Sequence, residues 1–118
     1  MTRPHVRWTM GTMSDKVRSM LFELRRRLEA IYGARLLRII LFGSTARGDA
    51  DPGSDVDVLV VLTGPVDPSE EISRTSDDIA ELSCKHGESI CCIFMDERRF
   101  NTRNGPLLRN IRREGVPV

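Results

Sequence analysis

The chain reads Phe42-Gly43-Ser44-Thr45-Ala46-Arg47-Gly48-Asp49-Ala50-Asp51-Pro52-Gly53-Ser54-Asp55-Val56-Asp57 between two apolar runs. Gly43 directly follows the first run, and a glycine there permits a tight turn and a close approach of the backbone. The residues after it can open a short helix, whose free N–H groups would form an anion cradle. The Ser44 hydroxyl adds a donor for a phosphate oxygen. We therefore expect a phosphate-binding turn at Gly43 and Ser44.

Asp55 and Asp57 stand two residues apart at the start of the second apolar run. In a β-strand this spacing places both carboxylates on the same face. Two like charges on one face are costly without a cation between them. Mg²⁺ commonly takes one or two carboxylates together with substrate phosphate oxygens and water. The pattern therefore predicts a Mg²⁺ or Mn²⁺ site at Asp55 and Asp57, beside the phosphate-binding turn.

Two other motifs are excluded in the same segment. The alternating aspartates begin like a calcium loop, but its glycine is at the fifth position, Gly53, and its twelfth residue is Val60 instead of Glu. The chain also lacks the Gly-Lys-Ser/Thr sequence of a Walker loop.

The periodicity on either side of this segment predicts three main helices and three strands. The helices are Ser14–Tyr32, a helix that begins with Asp67 as N-cap and Pro68 as first residue, and Pro106–Glu114. The strands are Leu36–Phe42, Asp55–Leu62 and Ser89–Met95. Thr12 and Asp15 have capping-box spacing at the start of the first helix, and Gly33 would end it. Beyond Asp57 the second strand is apolar on both faces, so it should be central.

These elements predict a single α/β (α+β) domain with a small mixed three-stranded sheet flanked by helices. The length of 118 residues fits one domain, which we place at residues 14–118, after a flexible N-terminal lead at residues 1–13. The longest apolar runs, Ile39–Phe42 and Val58–Leu62, are too short to span a membrane. The N-terminus lacks the apolar core of a signal peptide, so we expect a cytoplasmic protein.

Charge is divided into blocks although the net charge is only +1. Arg and Lys outnumber Asp and Glu by ten to three in residues 1–47 and by six to one in residues 98–118, but residues 48–97 hold two against thirteen. The three cysteines, Cys84, Cys91 and Cys92, cannot pair evenly and should be reduced packing residues. Cys91 and Cys92 are adjacent in a strand and should point to opposite faces.

Gly43-Ser44, ten further residues and then Asp55-Val56-Asp57 resemble the Gly-Ser-x10-Asp-x-Asp signature of the DNA polymerase β-like nucleotidyltransferases. More narrowly, Gly43-Ser-Thr-Ala-Arg-Gly48 and Ser54-Asp-Val-Asp57 resemble the minimal nucleotidyltransferases of bacteria and archaea. The resemblance covers nearly the whole chain, and it implies the nucleotidyltransferase fold.

The resemblance also implies a reaction and the residues that carry it out. Gly43 and Ser44 would hold the phosphates of a nucleoside triphosphate, with ATP as the expected substrate and Arg47 as an auxiliary phosphate or partner contact. Asp55 and Asp57 would be the catalytic carboxylates that bind Mg²⁺ or Mn²⁺. A hydroxyl acceptor would attack the α-phosphorus, receive AMP and release pyrophosphate.

The third strand departs from the family pattern, which usually has a third carboxylate there. The middle of this strand contains Cys91 and Cys92, which are soft ligands that Mg²⁺ disfavours. Glu88 and Asp96 lie at its two ends, where we expect surface positions. A third carboxylate would therefore come from an unexpected register of Glu88 or Asp96, or from a partner, or the enzyme would be slow.

Minimal nucleotidyltransferases of this kind are typically encoded beside a helical HEPN-domain protein, and several such pairs are toxin and antitoxin. This implies a HEPN-type partner protein as acceptor, and the base-binding wall is expected from another chain. The alternative is a catalytically weak or inactive nucleotide-binding subunit that neutralises its partner by binding. Homo-oligomers are compatible with the sequence. So is RNA binding, through the six arginines of residues 98–113, although the chain has one Trp and one Tyr for stacking.

Overall fold

A computed structural model describes residues 14–51 and 53–118. The predicted N-terminal lead, residues 1–13, and the predicted capping residue Thr12 lie outside the described residues. Within them, no helix is both long enough and apolar enough to cross a membrane.

The described chain contains five α-helices, one short 3₁₀ turn and four strands. In chain order these are α1 (Asp15–Tyr32), the 3₁₀ turn Gly33–Arg35, β1 (Leu36–Phe42), α2 (Gly43–Arg47), β2 (Val56–Leu62), α3 (Pro68–His86), β3 (Ile90–Asp96), α4 (Glu97–Thr102), α5 (Pro106–Glu114) and β4 (Val116–Pro117).

The four strands form one mixed sheet in the order β3-β2-β1-β4. β1 is antiparallel to β2 and β4, whereas β2 and β3 are parallel. Phe42, at the end of β1, is the Cα partner of Asp57, and Asp57 is in turn the partner of Cys91 on β3. The end of one strand and the beginnings of two others therefore meet at one end of the sheet.

Helices cover both faces of this sheet. α1 and α3 pack on one face, where the buried residues include Leu24, Leu28, Leu41, Val58, Val60 and Leu82. α4 and α5 pack on the other, where the buried residues are Leu59, Val61, Leu108 and Ile111. Because strand residues alternate between faces, Asp57 projects to the same face as Leu59 and Val61. Asp57 therefore lies on the α5 side of the sheet.

A buried hydrogen-bonded group joins α1 to α3. The Tyr32 hydroxyl donates to Glu71 Oε1 over 2.7 Å, and Arg74 Nε donates to the same oxygen over 3.0 Å. Burial alone would raise the pKa of Glu71, but these two donors lower it. Since an unpaired buried carboxylate would be strongly destabilising, Tyr32 and Arg74 make this packing possible.

The fold class and most element bounds agree with the sequence prediction. β1, the central position of β2, the Asp67 N-cap with Pro68 as first residue, and Pro106–Glu114 are confirmed. The predicted strands Asp55–Leu62 and Ser89–Met95 begin one residue later, at Val56 and Ile90. The first helix is capped by Ser14, whose Oγ accepts from the Val17 N–H, and Gly33 ends it as predicted.

The predicted three-stranded sheet is wrong by one strand, and one helix was missed. β4 is only two residues long and contains Pro117, which cannot donate to a strand ladder, so its sequence carries no strand signal. α4 is too short for apolar periodicity, and it is held by Asp96, which accepts from the Arg99 N–H over 2.7 Å.

Gly115 allows the chain to turn from α5 into β4. A Cβ atom there would lie 2.5 Å from both the Ile111 carbonyl oxygen and Ile40 Cγ2. We expect Gly115→Ala to lower the free energy of unfolding by about 1–3 kcal/mol, as overpacking does. In Gly53→Ala, the matched control, the new methyl meets no atom within 4 Å. Thermal denaturation should give Gly115→Ala a melting temperature well below that of the wild type and leave that of Gly53→Ala nearly unchanged. Equal melting temperatures for the two variants would contradict the close packing at Gly115.

Candidate active site

The turn after β1 contains two glycines with positive φ, Gly43 and Gly48. Phe42 is extended, Gly43 has φ +78°, and α2 ends at Gly48, which has φ +82°. A Cβ atom on Gly43 would lie 2.5 Å from Asp57 Oδ2. The positive φ favours glycine at this position, and a side chain there would also have to displace the Asp57 carboxylate.

The Ser44 side chain is available for a ligand. Its backbone carbonyl accepts from the N–H groups of Gly48 and Asp49, which closes α2. Its hydroxyl has no hydrogen-bond partner in the part of the chain that the structure describes, and the residue is half-buried. The predicted phosphate-binding serine thus has an uncommitted donor.

Asp55 and Asp57 form a like-charged pair beside this turn. Asp55 is exposed immediately before β2, and Asp57 is half-buried within it. Neither carboxylate has a hydrogen bond or ion pair with any residue in the ranges 14–51 and 53–118. Burial, and next the negative charge of Asp55, raise the pKa of Asp57. The fold therefore holds two negatively charged carboxylates close together, and no described residue offsets the charge of either one with a hydrogen bond or an ion pair.

This donor set fits a hard cation that also binds a second ligand. Within the described residues, no three His, Cys, Asp or Glu side chains form a group that could hold a metal ion. Mg²⁺ needs only one or two protein carboxylates when phosphate oxygens and water complete its shell. Asp55 and Asp57 beside Gly43 and Ser44 offer this combination.

Cys91 lies where β3 comes beside the carboxylate pair. It is the register partner of Asp57, and its thiol is exposed. Burial, followed by the charges of Asp57 and Asp55, raises the pKa of Cys91, so the thiol is neutral beside them. Cys92 packs against the core on the opposite face, where burial raises its pKa to about 12. The three cysteines are free, as predicted, but only Cys92 packs against the core; Cys84 and Cys91 are exposed, so the prediction that they are packing residues is wrong.

The two acidic residues at the ends of β3 have other partners. Glu88 forms an ion pair with Lys16 on α1 over 3.2 Å. Asp96 caps α4 at the opposite end of the strand from Cys91. Both are half-buried in structural contacts instead of at the surface positions expected from the sequence, and neither supplies a third carboxylate beside Asp57.

Arg47 connects α2 to α5. Its guanidinium lies 3.4 Å from Asp49 Oδ2 and 3.4 Å from Glu114 Oε1. Asp49, and more weakly Glu114, raise the pKa of Arg47. Glu114 was missed by the sequence analysis, because no local pattern links it to a residue 67 positions earlier. The predicted role of Arg47 as a phosphate contact stays a prediction, and its ion pairs leave it close to Ser44.

A glycine turn, a serine hydroxyl without a partner among the described residues, and an Asp-x-Asp pair at the start of the next strand of a mixed sheet are together typical of a nucleotidyltransferase site. The model of the nucleotidyltransferase domain family matches residues 21–111, and this chain belongs to that family. The match includes Gly43, Ser44, Arg47, Asp55 and Asp57.

Known proteins agree with this assignment. A "putative protein adenylyltransferase" of Methanocaldococcus jannaschii is 39% identical over 89 residues, covering 75% of this chain and 83% of that protein. The fold is similar to a crystal structure of a "putative nucleotidyltransferase" from Sulfolobus solfataricus, with a TM-score of 0.63, 20% identity and coverage of 92% and 84% of the two chains. A structure described as a toxin-antitoxin with AMP-PNP gives a TM-score of 0.54 at 18% identity, covering 87% and 69%.

The contact between Gly43 and Asp57 predicts a specific loss of stability. Gly43→Ala and Gly64→Ala both place a side chain at a similar positive φ, +78° and +76°, but only the first also meets the Asp57 carboxylate. We expect Gly64→Ala to cost about 1–2 kcal/mol for the backbone alone. Gly43→Ala should cost about 1–3 kcal/mol more.

Denaturant titrations of both variants measure this difference. Adding Asp57→Ala should relieve most of the excess in Gly43→Ala and none of the cost in Gly64→Ala. Equal losses for the two glycines would show that the carboxylate does not press on Gly43.

Asp57→Asn should stabilise the metal-free protein. The raised pKa of Asp57 means that folding disfavours the charged carboxylate. The stability that Asp57 contributes is therefore greatest below its ordinary pKa of 3.8, and it is lost as the pH rises through the pKa of the folded protein. Near neutral pH the variant should gain about 0.5 kcal/mol, as for relief of a like-charge pair. This is roughly 2–4 °C in melting temperature. Melting curves in EDTA should show the gain vanishing below pH 3.8, and a neutral-pH loss would contradict the charge pair.

Proposed function

We propose that this nucleotidyltransferase transfers AMP from ATP to a hydroxyl group of a partner protein, with Mg²⁺ or Mn²⁺ held by Asp55 and Asp57. The proposed partner is a small helical HEPN-type protein, with this chain as the antitoxin of the pair. The observation that carries the proposal is the pair of uncompensated carboxylates facing Gly43 and Ser44. A fold that keeps two like charges together without an opposite charge is less stable there, and such a loss of stability is typical of functional sites.

The chain's own residues would bind and orient the triphosphate. Gly43 lets phosphate oxygens approach the backbone, and the Ser44 hydroxyl can donate one hydrogen bond to them. Arg47 can turn from Asp49 and Glu114 towards added negative charge, since both its ion pairs are long and exposed. A divalent cation at Asp55 and Asp57 would neutralise the phosphates and the departing pyrophosphate. Catalysis would rest mainly on positioning and charge neutralisation.

The acceptor is inferred from relatives. A protein adenylyltransferase is the named activity of the M. jannaschii relative, and a toxin-antitoxin assembly with AMP-PNP shares the fold. Both point to a protein acceptor and an adenine nucleotide. The exposed position of Asp55 favours an acceptor that approaches from outside the chain.

Cys91 favours a second candidate function. A neutral thiol stands beside Asp57 where another carboxylate could have joined the site, and the acids at the two ends of β3, Glu88 and Asp96, are engaged elsewhere. A site with two carboxylates can bind Mg-ATP yet transfer slowly, or not at all, without a partner. The second candidate is therefore a nucleotide-binding subunit that neutralises its partner by contact alone.

Nucleotide binding tests the site independently of transfer. Ser44→Ala should weaken Mg-ATP binding by about 1–2 kcal/mol, the effect of one charge-assisted hydrogen bond, without changing the melting temperature. Asp57→Asn should reduce ATP affinity much more, and only when Mg²⁺ is present. Calorimetry with and without EDTA measures both effects. Unchanged affinity in Asp57→Asn would remove the metal site from the proposal.

Transfer is tested with α-labelled ATP, in the presence and absence of a HEPN-type partner protein, followed by mass measurement of both chains. We expect label on the partner only when both chains are present, and little or no transfer by this chain alone. The matched control is Asp57→Asn, which should still form the complex but add no label. Tight complex formation without any label would favour the binding subunit, and rapid transfer to a small molecule by this chain alone would contradict the protein acceptor.

A further inference from the structure

Helices α4 and α5, with the loop between them, present a cluster of arginines on one side of the molecule. We call this cluster the α4–α5 arginine surface, and its exposed members are Arg98, Arg99, Arg103, Arg109 and Arg113. Between Glu97 and Glu114 the sequence contains no acidic residue. The surface therefore carries concentrated positive charge, although the chain as a whole is nearly neutral.

These arginines differ in their partners from three arginines of α1 and α3. Arg25, Arg27 and Arg74 each form ion pairs with carboxylates of the same or the facing helix. Among the described residues, no carboxylate lies within ion-pair distance of any arginine of the α4–α5 arginine surface. Arg109 and Arg113 each make one hydrogen bond to a neutral oxygen, and the guanidinium groups of Arg98, Arg99 and Arg103 make none within residues 14–51 and 53–118. Their charge is available to an external anion.

The loop between α4 and α5 lines a polar groove and is held in place by Arg112. Arg112 donates to the carbonyl oxygens of Phe100 and Arg103 and to Asn104 Oδ1, and it stacks on the Phe100 ring. These contacts shape a groove of about 310 Å³, lined by Phe100, Asn101, Thr102, Arg103, Asn104 and Arg112. Arg112 thus holds the loop together, which leaves the amide of Asn101 and the amide N–H groups of Asn104 around the groove, whereas the Thr102 hydroxyl donates to the Arg98 carbonyl oxygen.

The composition of this surface distinguishes between an acidic protein and a nucleic acid as its anionic partner. A protein interface depends on apolar or aromatic anchors that become buried at its centre. The only ring in the groove, Phe100, is already covered by Arg38 and Arg112. Interfaces with nucleic acid are instead polar and strongly positive, and arginine is suited to phosphate contacts. Amide and hydroxyl groups can also bond the 2′-hydroxyl that only RNA carries.

We propose that the α4–α5 arginine surface binds single-stranded RNA, with Arg98, Arg99 and Arg103 contacting its phosphates. The surface begins at Asp96, whose strand partner is Leu62, at the opposite end of β2 from Asp57. Five strand residues separate these ends by about 17 Å. Through Glu114 and Arg47, the far end of α5 reaches α2. RNA can therefore bind without occupying the nucleotide site, and this inference does not depend on the proposed transfer reaction.

The test measures anisotropy of a fluorescent single-stranded oligouridylate of about 12 nucleotides over a series of salt concentrations. The variant is Arg98→Gln/Arg99→Gln/Arg103→Gln, and the matched control is Lys16→Gln/Arg18→Gln/Arg26→Gln, which removes the same charge from α1 on the other face of the sheet. We expect at least about tenfold weaker binding for the first variant and a salt slope reduced by roughly 0.7 for each lost contact. The control should bind like the wild type.

Thermal melts establish that both triple variants are folded, and the glutamines are all placed at exposed positions. If both triple variants bound the oligouridylate equally weakly, net charge alone would explain the effect, and the proposal would be overturned. Failure of the wild-type protein to bind the oligouridylate would do the same. Displacement of the RNA by polyglutamate of similar length, at equal charge concentration, would identify an acidic polypeptide as the partner instead.

Discussion

The contact of the Asp57 carboxylate with the Cα face of Gly43 is the constraint around which the site is arranged. It favours glycine at the end of β1, because a Cβ would lie 2.5 Å from Asp57 Oδ2 and the carboxylate would have to move. It requires β1 and β2 to be antiparallel neighbours in the register that pairs Phe42 with Asp57. It also leaves Asp57 half-buried next to Asp55, which raises its pKa. The glycine turn, the sheet register and the uncompensated charge are therefore parts of one arrangement.

The rest of the domain supports this arrangement from a distance. α1 and α3 seal the opposite face of the sheet, and the Tyr32–Glu71–Arg74 group fixes them to each other. α5 covers the site's own face and is joined to α2 by Glu114 and Arg47. The exposed surface of α4 and α5 takes no part in the core. Stability is thus concentrated away from the carboxylates, and the proposed functions use the groups that the fold leaves without partners.

Patterns that are local in sequence predicted most of the fold and of the site. Gly43, Ser44, Asp55 and Asp57 lie within fifteen residues, so their spacing alone predicts that they meet. Features that depend on distant residues could not be predicted. Glu71 resembles an ordinary charge in the first turn of a helix until Tyr32, 39 residues away, is placed beside it. β4 exists only because Gly115 permits a close turn onto β1, and nothing in Val116–Pro117 indicates a strand.

The central claim is that the carboxylate pair and the glycine turn form one site for a divalent cation and a triphosphate. It is tested most directly by anomalous diffraction from crystals grown with Mn²⁺ and a non-hydrolysable ATP analogue. The account predicts a manganese peak shared by the carboxylates of Asp55 and Asp57, with the phosphates of the analogue against Gly43 and the Ser44 hydroxyl. A peak away from both carboxylates, or phosphates bound only at the arginines of α4 and α5, would contradict it.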